Sequence, residues 1–131
     1  MRGSILEGQA GRRVTLNLAR DANAPSSARR ALEQLDHRLD GQREYVAKLL
    51  LSELVSNAVK YGADGPVRLE LESSHGGVRV EVIDPGPGFM PARRERDLDD
   101  PGGWGLVLVE LLSSRWGSSA RSSHLWFEID A

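Results

Sequence analysis

The chain has 131 residues, 40% of them hydrophobic and 27% charged, which sizes it for one soluble domain with a single core and leaves no room for a second. Seventeen basic and nineteen acidic residues give a formal net charge of −2, so no global field draws it to nucleic acid or to an anionic membrane. It contains no cysteine, which excludes disulfides and thiolate metal sites and suits a reducing, cytoplasmic interior.

No apolar run approaches the roughly 20 residues that span a bilayer, and the N-terminus lacks the apolar stretch of a secretory signal, so neither export nor insertion is expected. Residues 1–11, MRGSILEGQAG, are Gly-rich and weakly patterned. They are expected to be a flexible leader, with MRGS resembling an expression scar, ahead of a single domain over residues 12–131.

RRVTLNL (12–18) alternates Val14, Leu16 and Leu18 with polar residues, the period of a half-buried strand. After Pro25, SSARRALEQLDHRL places Ala28, Leu32, Leu35 and Leu39 on one helical face, with Ser26 or Ser27 able to cap it. Residues 42–61 predict a second helix of roughly 30 Å, ended by Gly62, whose mostly apolar surface makes it central. VRLELES (67–73) and GVRVEVI (77–83) read as a hairpin. Val67, Leu69, Leu71, Val78, Val80 and Val82 would line its inner face. Arg68, Glu70, Arg79 and Glu81 would line the outer one, where opposite charges can pair across strands.

About twenty residues without clear pattern follow, from Asp84 to Gly103, a length that suggests a functional loop. GLVLVELLSSR (105–115) returns to a helical pattern, and HLWFEID (124–130) closes as a strand. The order β-α-α-β-β-loop-α-β predicts an α+β two-layer sandwich, a largely antiparallel sheet with helices on one face.

The chemistry is narrowed first by what is missing. No P-loop GxxxxGK(S/T) occurs, and no GxGxxG opens a helix after a strand. Two separate glycine clusters, PGPG at 85–88 and GGWG at 102–105, bracket the long loop in the pattern of a lid. On the second helix Glu53 and Asn57 lie four apart and share a face, with Lys60 a turn beyond Asn57. A solvated edge of an amphipathic helix would explain that spacing equally well.

The combination is more specific. ELVSNAVKYG (53–62), DPGPGF (84–89) and GGWGLVLV (102–109), in that order, resemble the N, G1 and G2 boxes of the GHKL ATPase superfamily, which implies the Bergerat ATP-binding fold. Within it, the chain from about Arg13 onward is similar to the bacterial anti-sigma-factor serine/threonine kinases, or switch-protein kinases. That likeness rests on RDANAPSSARRAL, ELVSNAV, RWG at 115–117 and LWFEID. Fifteen arginines against two lysines fit a GC-rich bacterial source.

The resemblance implies ATP and Mg2+ as cofactors. It assigns Asn57 to the metal, Glu53 as general base toward an attacking hydroxyl, and Lys60 to a phosphate oxygen. Asp84 would accept from the adenine N6 amino group and reject guanine, whose O6 faces the carboxylate lone pairs. Gly86 and Gly88 would let the backbone approach the base. Backbone amides at Gly103, Gly105 and Leu106 would donate to phosphate at the start of the third helix. Arg93, Arg94 and Arg96 are either lid contacts to the triphosphate or a solvated charged face.

Some positions depart from the family. Trp104 stands between glycines where relatives often carry a small or basic residue. His124, after Ser122 and Ser123, stands where relatives often have Gly-Lys-Thr, whose hydroxyl supports the adenine-binding aspartate; an imidazole in the right tautomer could replace that bond. Trp116 and Trp126 are expected in the core, and His37 and His75 as ordinary surface histidines.

Three functions follow from these residues. One is a Mg-ATP-dependent kinase that phosphorylates an anti-sigma-factor antagonist and otherwise sequesters a sigma factor. Another is a nucleotide-gated protein-binding module without phosphoryl transfer. The third and weaker one is a stand-alone histidine-kinase-like catalytic domain. The implied partners are the antagonist and the sigma factor, with no direct nucleic acid or membrane contact, and a homodimer stays open.

Overall fold

The computed structural model describes residues 12–61, 65–74, 76–84, 105–119 and 124–131. The elements in chain order are β1 (Arg13–Leu18), α1 (Ala24–Gln34), α2 (Gly41–Tyr61), β2 (Val67–Ser74), β3 (Gly77–Ile83), α3 (Gly105–Leu112), β4 (Arg115–Ser119) and β5 (His124–Asp130). The strands form one antiparallel sheet in the order β1-β2-β3-β5-β4. The helices lie against one face of it, giving the expected α+β two-layer sandwich.

Alternation decides which side chains meet the helices. Val67, Leu69 and Leu71 of β2, Val78, Val80 and Val82 of β3, and Leu125, Phe127 and Ile129 of β5 are all buried on the inner face. The helical layer answers with Ala28 and Leu32 of α1, Ala47, Leu50, Leu51, Leu54, Val55 and Ala58 of α2, and Val109 of α3. α2 packs against α1, α3, β2 and β3, the central position its composition predicts. No helix among the described residues is long and apolar enough to cross a membrane.

The outer face is charged. Arg79 bonds Glu128 at 3.0 Å, and Arg115 bonds Glu128 at 2.6 Å and also Asp130. Within the predicted hairpin the charges do not pair across strands as expected. Register sets Glu70 opposite Glu81, and each finds an arginine on its own strand instead, Arg68–Glu70 at 2.8 Å and Arg79–Glu81 at 3.6 Å.

The structure corrects four further expectations. α1 begins at Ala24, with Pro25 in its first turn and Asn23 as N-cap; neither serine caps it, and Ser26 Oγ donates instead to the Asn23 carbonyl. It also ends at Gln34: Leu35 turns to extended backbone and is buried from there, leaving Leu39 beyond the helix. The helical pattern of 105–115 stops at Leu112, and Arg115–Ser119 is an edge strand. Trp126 lies on the outer face, not in the core. Its ring crosses Gly117, where a Cβ would fall 2.7 Å from Nε1, and carries the Arg79 guanidinium 4.1 Å from its centroid. Trp116 does pack against the core.

His37 is also no surface histidine, its side chain being 9% exposed. The Leu39 amide donates to Nδ1, so the proton of the neutral ring sits on Nε2 and points at Glu44, 3.2 Å away. His75 lies outside the described residues.

Candidate functional site

Three neighbouring strands end together at one edge of the sheet. Leu18 closes β1 opposite Val67, which opens β2, and Arg68 pairs with Ile83, so Asp84 lies one step past β3 at the same level. Strand parity continues through it. Val78, Val80 and Val82 face the helices, and Asp84, two residues on, is buried on that side with 1% exposure. A carboxylate so placed needs a partner.

That partner is Arg20, two residues beyond β1. Its Nη2 donates to Asp84 Oδ1 at 2.6 Å, its Nη1 to the Ala58 carbonyl at 2.5 Å and its Nε to the Gly65 carbonyl at 2.5 Å. Ala58 lies in the last turn of α2, where helix carbonyls have no intrahelical donor and the dipole favours a cation. One guanidinium therefore joins the end of α2, the approach to β2 and the end of β3.

α2 supplies the rest. Its buried stripe of Leu50, Leu51, Leu54, Val55 and Ala58 faces the sheet. Asn57 and Glu53 lie roughly a quarter turn or more around the helix from that stripe, half-buried on a common face, with exposed Lys60 beyond them. Burial raises the Glu53 carboxyl above its ordinary value, and the nearby Lys60 charge lowers it by less. Asn57 Oδ1 is fully buried and accepts no hydrogen bond from the described residues. A buried amide oxygen without a donor is an acceptor awaiting one, and it suits a hard cation that takes oxygen ligands. No group of three His, Cys, Asp or Glu capable of holding a metal exists among the described residues.

The structure thus brings Asp84 to the end of the sheet reached by the last turn of α2, while Asn57 and Glu53 sit about one and two turns back from the end of that helix. Gly105 and Leu106 open α3. Gly86, Gly88, Gly103, Trp104, the three arginines at 93, 94 and 96, and the expected lid fall outside the described residues. His124 does not support Asp84. It stands opposite Ile83 on the outer face, and its Nε2 meets Glu81 Oε2 at 2.6 Å. The alternation of HLWFEID already implied this, because Leu125, Phe127 and Ile129 point inward and place His124 outward. Arg20 was missed as a site residue: it opens the RDANAPSSARRAL stretch that carries the family likeness, but nothing in its spacing gives it a role, and its partner is 64 residues away.

A family model described as the histidine kinase-like ATPase domain matches residues 17–127, a span that includes Arg20, Glu53, Asn57 and Asp84. Among curated proteins, none matches the sequence significantly.

Proposed function

Because the chain belongs to the histidine kinase-like ATPase domain family, we infer that it binds Mg-ATP and phosphorylates a serine or threonine of an anti-sigma-factor antagonist, holding a sigma factor when not so engaged. The observation that carries this reading is the α2 face, where Glu53, raised by burial, lies one turn from Asn57, whose buried oxygen has no hydrogen-bond partner among the described residues. Asp84 would accept from the adenine amino group, and Asn57 Oδ1 would hold the metal. When bound, Mg2+ neutralises charge on the phosphate oxygens. Glu53 takes the proton of the attacking hydroxyl as its oxygen bonds to the γ-phosphorus and ADP departs, a role favoured by a carboxylate more basic than usual. Lys60 adds a positive charge on the same side of the helix. Both partners of this reaction place the protein in the cytoplasm.

The test is transfer of labelled phosphate from ATP to antagonist proteins encoded beside the gene. Acid-stable phosphoserine or phosphothreonine is expected, lost in Glu53→Ala while ATP binding survives. Undiminished labelling in that variant removes Glu53 from its role, and an acid-labile product would instead indicate a histidine-kinase-like activity.

A second reading, a nucleotide-gated binder without transfer, is favoured by one observation. His124 is committed to Glu81, so it does not stand in for the family hydroxyl that supports the adenine-binding aspartate. It predicts nucleotide-dependent partner binding and no phosphoprotein.

A further inference from the structure

The geometry points to Arg20 as the residue that sets adenine specificity, by fixing the Asp84 carboxylate relative to the helix that carries Asn57 and Glu53. The inference rests on the ATP-binding reading and adds a residue to which the sequence assigned no role in the site.

An aspartate reads adenine against guanine only if its carboxylate plane is held, because a carboxylate free to rotate could swing away from guanine O6 and accept from another donor. At Asp84 the rotation is constrained by the 2.6 Å bond from Arg20 Nη2 to Oδ1. A carboxylate has about four lone-pair sites, so this bond does not exhaust its capacity to accept from an amino group. A guanidinium has no acceptor of its own, so it can only reinforce the acceptor character that distinguishes an amino group from a carbonyl.

Arg20 is itself fixed. Its Nη1 and Nε are spent on the Ala58 and Gly65 carbonyls, and its side chain is 14% exposed. Three acceptors on three segments are met by the planar fork of one guanidinium, a geometry an ammonium cannot reproduce. Ala58 follows Asn57 directly, so the clip ties the base-reading carboxylate to the turn of α2 that presents the metal ligand. Base recognition and metal placement are then held in one register.

The experiment is calorimetric titration of wild type, Arg20→Lys and Arg20→Ala with Mg-ATP, Mg-GTP and Mg-tripolyphosphate, with folding checked by circular dichroism. Arg20→Lys keeps the charge and decides the matter if Arg20→Ala does not fold. The expected result is a loss of about tenfold or more in ATP affinity, the scale of one hydrogen bond to a charged group. The ATP-over-GTP ratio should fall toward one while tripolyphosphate affinity stays within about twofold. Three results overturn the inference alone: an unchanged ATP-over-GTP ratio in folded Arg20→Lys, an equal loss for all three ligands, or tighter ATP binding on losing Arg20. Failure of the wild-type protein to bind ATP overturns the nucleotide reading and this inference together.

Discussion

Arg20 Nη2 lies 2.6 Å from Oδ1 of Asp84, and the two side chains are 14% and 1% exposed, so the protein buries an ion pair beside its candidate nucleotide site. Such a pair adds little net stability, since desolvation offsets its attraction, yet breaking it is costly because one charge is left buried alone. Arg20→Ala is expected to destabilise by about 3–5 kcal/mol. Asp84→Asn should also weaken the fold by stranding the guanidinium. Replacing both partners, as in Arg20→Met with Asp84→Leu, should cost clearly less than the sum of the single changes. Urea unfolding of the four proteins gives the coupling energy, and additive single effects would contradict the pairing.

Glu53 makes an opposite kind of sacrifice. Burial, opposed by Lys60, raises its carboxyl from the ordinary value of 4.5, so the folded state holds this proton more tightly than the unfolded chain. The associated stability is fully present below pH 4.5 and is lost as pH rises through the raised folded value. At neutral pH the fold carries a partly desolvated carboxylate, and Glu53→Gln removes that cost. The variant should therefore unfold at higher urea than wild type at pH 7, with the difference closing below the ordinary carboxylate range. Its phosphoryl transfer should drop by roughly 10²–10⁴, the usual share of a general base. A variant less stable than wild type at pH 7 would mean that Glu53 is held by favourable contacts, and so is not poised as a base.

The elements that alternate cleanly were legible in the sequence, and those that rely on distant partners were not. VTLNL, VRLEL and VRVEV announce β1, β2 and β3 because each second residue is a branched or long aliphatic, and the structure buries that set except for Val14 and Leu16 of β1, which are half-buried against the core. β4 escaped because RWGSS holds one apolar side chain; it is a strand through its register with β5, and Gly117 is there to accept the Trp126 ring. The end of α1 was overrun since Leu35 keeps the helical spacing yet is buried from extended backbone. The positions of Glu53, Asn57 and Asp84 came from short motifs whose local order is visible in one dimension. Arg20 opens RDANAPSSARRAL, yet its role was not visible there, because its three acceptors converge only when β1, α2 and β3 are folded together.

Asn57 offers a test that separates binding from folding. Its Oδ1 is buried without a donor among the described residues, so truncating the side chain removes an unmet acceptor along with some packing. Asn57→Ala is expected to change stability by less than about 1 kcal/mol. Mg2+-dependent enhancement of ATP binding should vanish in it, leaving a residual affinity that EDTA does not alter. A thermal melt and a titration with and without Mg2+ measure the two effects. Retained Mg2+ dependence would remove Asn57 from the metal, and a large loss of stability would mean that the oxygen has a structural partner.

Gly77 and Gly76 sit side by side in the β2–β3 turn but should respond oppositely to the same change. Gly77 has φ +142°, and a Cβ there would lie 2.1 Å from the Ile129 carbonyl oxygen and 2.9 Å from the Asp130 Cα, both backbone atoms of β5. Neither atom can rotate away, so β3 and β5 must separate where they pair. Gly77→Ala is expected to cost about 3 kcal/mol or more, combining positive-φ strain with that displacement. A Cβ at Gly76 meets only Ser74 Oγ at 4.0 Å, and Gly76→Ala should stay within about 0.5 kcal/mol of wild type. Gly77 opens β3 and Asp84 follows its other end, about 20 Å apart by the strand rise. The folded fraction of Gly77→Ala should therefore bind ATP with wild-type affinity. Equal stability of the two variants by urea unfolding would show that the strand pair tolerates a side chain at that contact.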